Sequence, residues 1–387
     1  MRWILLSLLL LSLVVDRWYF RRHGSTFRHR NTVGALVVAV DLLPFAILAL
    51  LWLVRDNPTG LIQVAMWTLF GYLLLTLPRM IYYAVRITGN GRTVRILALL
   101  AAAAAACILI RGAVRGRRTL VVNRIVLHSD RLPEAFDGLR IAQFSDLHIG
   151  TLVDPRREMT ALVDSLNALH ADLVIFTGDL VNIRYTELDS TAMRLLGGIR
   201  SRYGTFSVTG NHDTGNYIAD TLALPPAANL AALLERQRTM GWRVLDNETI
   251  YLRRGGDSIA LSGISYDPTL VRQRHDRTLP DYDIGPTYRD VPDRLYNITA
   301  AHVPQLWDRI LDTGHGDLTL SGHVHSMQSK FRLAGCAFSP AQLLYRRWSG
   351  PYEEQGRTLY VNDGIGCVGF PMRIGANPEI TLFELRR

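Results

Sequence analysis

The chain has 387 residues and a formal charge of +9, and arginine carries nearly all of the positive charge, Lys330 being the sole lysine. Cys107, Cys336 and Cys367 stand too far apart for a CxxC motif, which excludes a zinc knuckle and a dithiol redox site. No compact basic stripe with interleaved aromatics occurs, which argues against nucleic acid as a partner; many of the arginines instead flank apolar segments, where they suit membrane phosphates.

Apolar residues crowd the first 110 positions, so a membrane region over 1–112 is expected to precede a soluble domain over 119–387. Four apolar stretches run from Trp3 to Val15, Thr32 to Val54, Leu61 to Val85 and Ile96 to Ile110. A helix needs about 20 apolar residues to cross the hydrocarbon core, which the second and third supply. The first is short but can use Trp18, Tyr19 and Phe20 as interfacial aromatics, and the alanine-rich fourth would cross in company with its neighbours. About four transmembrane helices are therefore expected. The first stretch ends on Asp16, Arg17, Trp18 and Tyr19 with no small-x-small site, so it reads as an uncleaved anchor rather than a signal peptide. Arg17, Arg21, Arg22, Arg28 and Arg30 argue that the following loop is cytoplasmic and that three further crossings carry the soluble domain outside; Arg111, Arg115, Arg117 and Arg118 argue the opposite, and the balance narrowly favours the outside. Asp41 and Arg79 sit inside the second and third stretches, where helix contacts and snorkelling are the plain reading and a polar pathway the alternative.

From Val121 onward short apolar runs alternate with helical patterns. Strands are expected over Arg140 to Ser145, Asp172 to Thr177, Thr205 to Thr209, Ser258 to Ser262, Tyr296 to Ala301, Asp317 to Leu320, Thr358 to Asn362 and Glu379 to Leu385. Met159, Leu162, Val163, Leu166 and Leu169 recur at helical spacing behind Pro155, predicting a helix over Asp154 to His170; Ala227 to Met240 and Pro304 to Asp312 predict two more. Such alternation implies a layered α/β sandwich of mixed sheets flanked by helices, in which ligands bind where strands end.

Five of those strand ends carry ligand chemistry: Asp146-Leu147-His148, Gly178-Asp179, Gly210-Asn211-His212-Asp213, His302, and Gly322-His323-Val324-His325. In Asp146-x-His148 and His323-x-His325 the alternate residues of an extended segment would face one location. An oxygen and imidazole set without thiolate suits Mn²⁺, Fe or Zn²⁺. Seven candidate ligands are too many for one open catalytic ion and suit two ions about 3.5–4 Å apart, a clamp for a phosphoryl group.

These motifs, in this order, resemble those of the calcineurin-like metallophosphoesterases, over roughly Val121 to Arg387, and most closely a membrane-associated bacterial branch that includes a type of UDP-2,3-diacylglucosamine hydrolase. The resemblance implies a bacterial inner-membrane enzyme with one metal on Asp146, His148, Asp179 and His325. A second would lie on Asp179, Asn211, His302 and His323, with Asp179 and a hydroxide bridging the two. It further implies that His212 faces the phosphate, with Asp213 holding its ring. Ser326 and Met327 stand where that branch usually carries two glycines, a change beside the pocket.

Other signals have plainer readings. His170, His275 and His315 are expected at the solvent, and Asp363-Gly364-Ile365-Gly366, at a strand end, reads as a plain turn, with backbone amides facing the site as the alternative. Tyr266 to Pro292 reads as a surface insertion able to cap the pocket, and Phe338 to Tyr352 as a lipid-facing segment or a packed short helix. The expected activity is hydrolysis of a phosphoester or pyrophosphate, with a lipid or lipid-linked substrate suggested by the anchor. The rivals are a transport or sensing protein with a non-catalytic domain, and a nuclease or nucleotide phosphodiesterase.

Overall fold

A computed structural model describes residues 2–23, 29–267 and 282–387. His275 and residues 268–281 of the expected insertion lie outside the described residues. The chain divides into two compact units, Met1–Arg115 with Gly369–Met372, and Gly116–Val368 with Arg373–Arg387.

The first unit holds four helices, α1 (Arg2–His23), α2 (Arg30–Leu53), α3 (Thr59–Arg86) and α4 (Arg92–Val114). Among the described residues, three segments, Asn31–Leu53, Thr59–Arg86 and Arg92–Arg118, are long and apolar enough to cross a bilayer. The alanine-rich stretch, short by its apolar core alone, lies within the 23 residues of α4, because alanine favours the helix strongly and the flanking residues extend it at both ends. Arg79 makes the expected helix contacts: its partly buried guanidinium meets Asp16 of α1 and Asp41 of α2.

The second unit is a pair of six-stranded mixed sheets with a two-stranded antiparallel hairpin, β10 (Phe331–Leu333) and β11 (Cys336–Phe338). The first runs β1 (Val121–His128), β14 (Glu379–Arg386), β2 (Leu139–Phe144), β3 (Leu173–Phe176), β4 (Thr205–Ser207), β5 (Arg243–Val244), parallel except where β14 meets β2. The second runs β12 (Gly350–Glu354), β13 (Arg357–Val361), β9 (Leu318–Ser321), β8 (Asn297–Ala301), β7 (Asp257–Ile264), β6 (Glu248–Arg254), with only its outermost pairs antiparallel. The period of two decides the layering. Leu139, Ile141, Leu173 and Ile175 meet Leu261, Ile298, Leu318 and Leu320 between the sheets. Ala142, Phe144, Val174 and Phe176 point the other way, under α5 (Pro155–Ala168) and α6 (Ser190–Leu196). On the far face Ala260, Ala301, Leu359 and Val361 lie under α8 (Gly285–Tyr288) and α9 (Trp307–Asp312). This is the expected α/β sandwich.

All eight expected strands form. Those the sequence did not reveal include β1, β6 and β12, which lie at sheet edges and are half solvated, so their apolar runs are short and broken by polar residues. Helix α5 starts as expected, Pro155 opening it and Asp154 accepting from the Arg157 amide. The helix expected over Ala227 to Met240 is α7 (Pro226–Thr239), and the one over Pro304 to Asp312 is a 3₁₀ turn, Pro304–Leu306, running into α9.

His315 corrects an expectation. It is buried, its ring stacked on Tyr288 at 4.8 Å, because Gly314 and Gly316 at positive φ turn this connection inward. The Phe338 to Tyr352 segment is divided. Trp348 and Arg347 are buried, the guanidinium 4.5 Å above the Trp307 ring, whereas Leu343 and Leu344 are exposed.

Candidate metal centre

The centre lies where both sheets end. Asp146 and His148 follow β2, Asp179 follows β3, and Asn211 and His212 follow β4, all from the first sheet. From the second come His302 after β8, and His323 and His325 after β9. Asp146, His148, Asp179 and His302 are almost wholly buried.

The structure brings all seven candidate ligands together. His325 Nε2 stands 3.1 Å from Asp146 Oδ1 and 3.2 Å from His148 Nε2. Opposite, His323 Nδ1 lies 2.8 Å from Asn211 Oδ1 and 3.3 Å from His302 Nε2. Asp179 Oδ2 falls between the clusters, 3.6 Å from His148 Nε2 and 3.2 Å from His302 Nε2. Two ligands about 2.1 Å from one ion stand about 3.0–3.4 Å apart, so these separations are those of coordination edges. The fit extends to tautomers, since His302 Nδ1 lies 2.8 Å from the Thr177 carbonyl, to which it can donate, freeing Nε2 as a lone-pair donor.

The backbone achieves this differently from the expected extended pairs. Asp146, His148, Asp179, His323 and His325 all have positive φ, between 43° and 73°. Each x residue shows the reason: Leu147 and Val324 are buried in apolar cores, and left-handed turns on either side let them pack inward while the ligands face one space. Close approach demands glycine at two places. A Cβ on Gly210 would fall 2.1 Å from Asp179 Oδ1, and one on Gly322 would fall 2.0 Å from Ser145 Oγ.

Electrostatics show the same demand. Burial lowers the His323 imidazole, and neighbouring His302 lowers it further, to about 3. Burial and then His212 hold His148 well below its ordinary range. Burial would lower His302 too, but the Asp179 carboxylate outweighs it and lifts the group to about 9. Burial raises Asp146 and Asp179, yet the imidazoles, His325 foremost for Asp146 and His302 for Asp179, more than offset it and hold both carboxyls down. Carboxylates held ionised, beside His148 and His323 held in the neutral, lone-pair form, make a cradle for cations.

His212 stands beside the ligands, its ring 4.7 Å from that of His148, and it stacks on Tyr217 at 4.2 Å. Asp213 does not hold it, which corrects the expectation. His212 Nδ1 is 2.6 Å from the Asn182 carbonyl, whereas the Asp213 carboxylate accepts from the amides of Asp179, Leu180, Val181 and Gly210 at 2.8–3.2 Å. A buried carboxylate satisfies the amides of the two tight loops that no strand can pair, and so fixes Asp179 in place.

Comparison with known proteins decides the family. Residues 139–327 match the model for calcineurin-like phosphoesterases. The second unit carries a calcineurin-like metallophosphoesterase domain. This domain is 29% identical over 266 residues to the uncharacterized metallophosphoesterase YkuE of Bacillus subtilis, covering 67% of this chain and 83% of that one. The matches to transmembrane proteins with a metallophosphoesterase domain from Danio rerio (30% identity) and Bos taurus (32%) cover 73% and 68% of this chain. The chain spans 61% and 57% of those two relatives.

Several residues of the phosphoesterase domain were not legible as functional. Tyr217 accepts from Asn211 Nδ2 at 3.0 Å, turning Asn211 Oδ1 toward the imidazoles. Half-buried Glu187 accepts from the Gly150, Asn182 and Ile183 amides and so ties the loop after His148 to the loop that holds His212. Arg373, fully buried, places Nη2 3.1 Å from His325 Nδ1. Lys330 pairs with Asp363, which also accepts from Ser326 Oγ at 2.5 Å. The Asp363 to Gly366 turn braces Asp146, the Gly366 amide donating to its carbonyl at 2.8 Å. Apart from the Asp363 to Gly366 turn, whose place at a strand end allowed it to face the site, no short-range sequence pattern marks these.

Proposed function

We propose that this chain hydrolyses a phosphoester or pyrophosphate of a lipid or lipid-linked molecule at a two-metal centre. Asp146, His148, Asp179 and His325 would hold one ion, and Asp179, Asn211, His302 and His323 the other. The observation that carries the reading is the position of Asp179 Oδ2 within 3.6 Å of both clusters. Bound divalent cations supply Lewis acidity, lowering the pKa of a water and taking up charge on phosphoryl oxygens. The protein's part is to fix their spacing, exclude competing orientations and handle protons. With Nδ1 of His212 directed at the Asn182 carbonyl, Nε2 remains to protonate the leaving oxygen or stabilise phosphoryl charge. The three apolar helices support a lipid substrate, since an anchored enzyme meets bilayer molecules at high local concentration.

Metal analysis of His212→Ala is expected to find two ions per chain, as in the parent, with turnover reduced about 10²–10⁴-fold. Loss of metal together with activity would reassign His212 as a ligand; no hydrolysis by the Mn²⁺-loaded parent would sink the enzyme reading. Turnover of micellar phospholipid faster than of a soluble aryl phosphodiester is expected, and the reverse preference would remove the lipid assignment.

A further inference from the structure

The first unit is built inside-out. On α1 the residues turned into the bundle are Ser12, Asp16 and Tyr19, spaced four and three apart, while Leu10, Leu11 and Val14 are exposed. The buried face of α3 carries Tyr72, Thr76 and Tyr83 together with Arg79, and Asp41 on α2 is fully buried. A membrane helix with apolar residues outward and ionisable residues inward marks its interior as a functional site.

One guanidinium nitrogen, Arg79 Nη2, lies 2.5 Å from Asp41 Oδ1 and 3.1 Å from Asp16 Oδ2. The other cation on this face, Arg86, gives its guanidinium to the Gly89 carbonyl and Asn90 instead. On α4 the arginines Arg92, Arg95 and Arg111 are exposed. At this point two carboxylates share one guanidinium, with Arg86, also buried, seven residues farther along α3, so the cluster itself is net negative inside an apolar exterior, which is costly. Independently, Asp16 Oδ1, Asp41 Oδ2 and Thr76 Oγ1 are buried with no hydrogen-bond partner among the described residues. One proton on the carboxylate pair cancels the excess charge and turns an orphaned acceptor into a donor.

We propose that Asp16 and Asp41 share one exchangeable proton, making the membrane unit a protonation site clamped by Arg79. Acidification adds the proton from water to a carboxylate, and alkalinisation returns it to water. The other titratable groups facing it are Tyr19 of α1 and Tyr72 and Tyr83 of α3. The site is independent of the phosphoesterase reading and would let the membrane unit respond to proton concentration.

The test is infrared spectroscopy of the full chain in lipid nanodiscs across pH. The wild type is expected to show one protonated-carboxyl stretch, shifted in D₂O and lost on alkalinisation, that is missing from both Asp16→Asn and Asp41→Asn. In each variant the remaining carboxylate is ionised against Arg79. Buried carboxyls of the second unit, such as Glu379, give bands common to all three proteins and cancel in the difference. Both variants should fold, each keeping a neutral ion pair, and Arg79→Lys should retain the band. No difference band, a band that persists in either variant, or failure of either single variant to fold overturns the proposal. Loss of the band on adding sodium at constant pH also overturns it, replacing the proton with a metal cation.

Discussion

Met327 gauges how much strain the turn after the paired histidines holds. His325, Ser326, Met327 and Gln328 are four successive residues at positive φ, where an L side chain costs about 1–2 kcal/mol. Met327 is half exposed. Met327→Gly should therefore raise the stability of the detergent-solubilised chain by about 1 kcal/mol, seen as a higher melting temperature. Ser326→Gly should gain less or lose, because it also removes the hydrogen bond from Ser326 Oγ to Asp363. Equal gains from the two would mean that this bond contributes nothing. At this scale the candidate ligands were legible because aspartate, asparagine and histidine beside glycine at strand ends have few other uses. Their left-handed backbone was not, since nothing in Asp146-Leu147-His148 distinguishes an extended pair from two turns around a buried leucine. The partners of His212 and, Gly210 apart, of Asp213 were equally hidden, because they lie on a loop 30 and more residues away.

Among the elements, the strands and long helices could be read because a core strand is a short, mostly apolar run such as Leu173–Phe176 and α5 has a cap and a stripe. Edge strands could not, being half solvated. The sheets are also joined by polar groups that no periodicity reveals. Glu379, at the start of β14, accepts from Tyr360 Oη of β13 at 2.6 Å and from Thr381 Oγ1. Burial, then the negative Asp363, holds its carboxyl above the ordinary range. A carboxyl raised in the folded state binds its proton more tightly there than in the unfolded chain. Its contribution is complete below the ordinary carboxyl value and declines as pH rises through the folded one. Glu379→Gln keeps an acceptor for Tyr360 and should flatten that decline in thermal melts taken from acid to neutral pH. An unchanged slope would assign the effect to another carboxyl.

For the molecule as a whole, the division into an arginine-flanked apolar region and an α/β domain was visible in composition, and the family in the order of its motifs. Neither fixes a substrate, because the loops that would select it are not governed by any period. The arrangement of the centre has a further consequence. Asp146, Asp179 and Asn211 ride on one sheet and His302, His323 and His325 on the other, so the ions would rivet two slabs together. Directly beneath, Gln143 Nε2 of β2 reaches the Ser321 carbonyl of β9 at 2.9 Å and acts as a cross-tie. Cutting that tie with Gln143→Leu should weaken metal retention in a chelator titration while circular dichroism of the metal-loaded protein stays unchanged. Slippage between the slabs would then register first as a loosened grip on the ions, well before either slab frays.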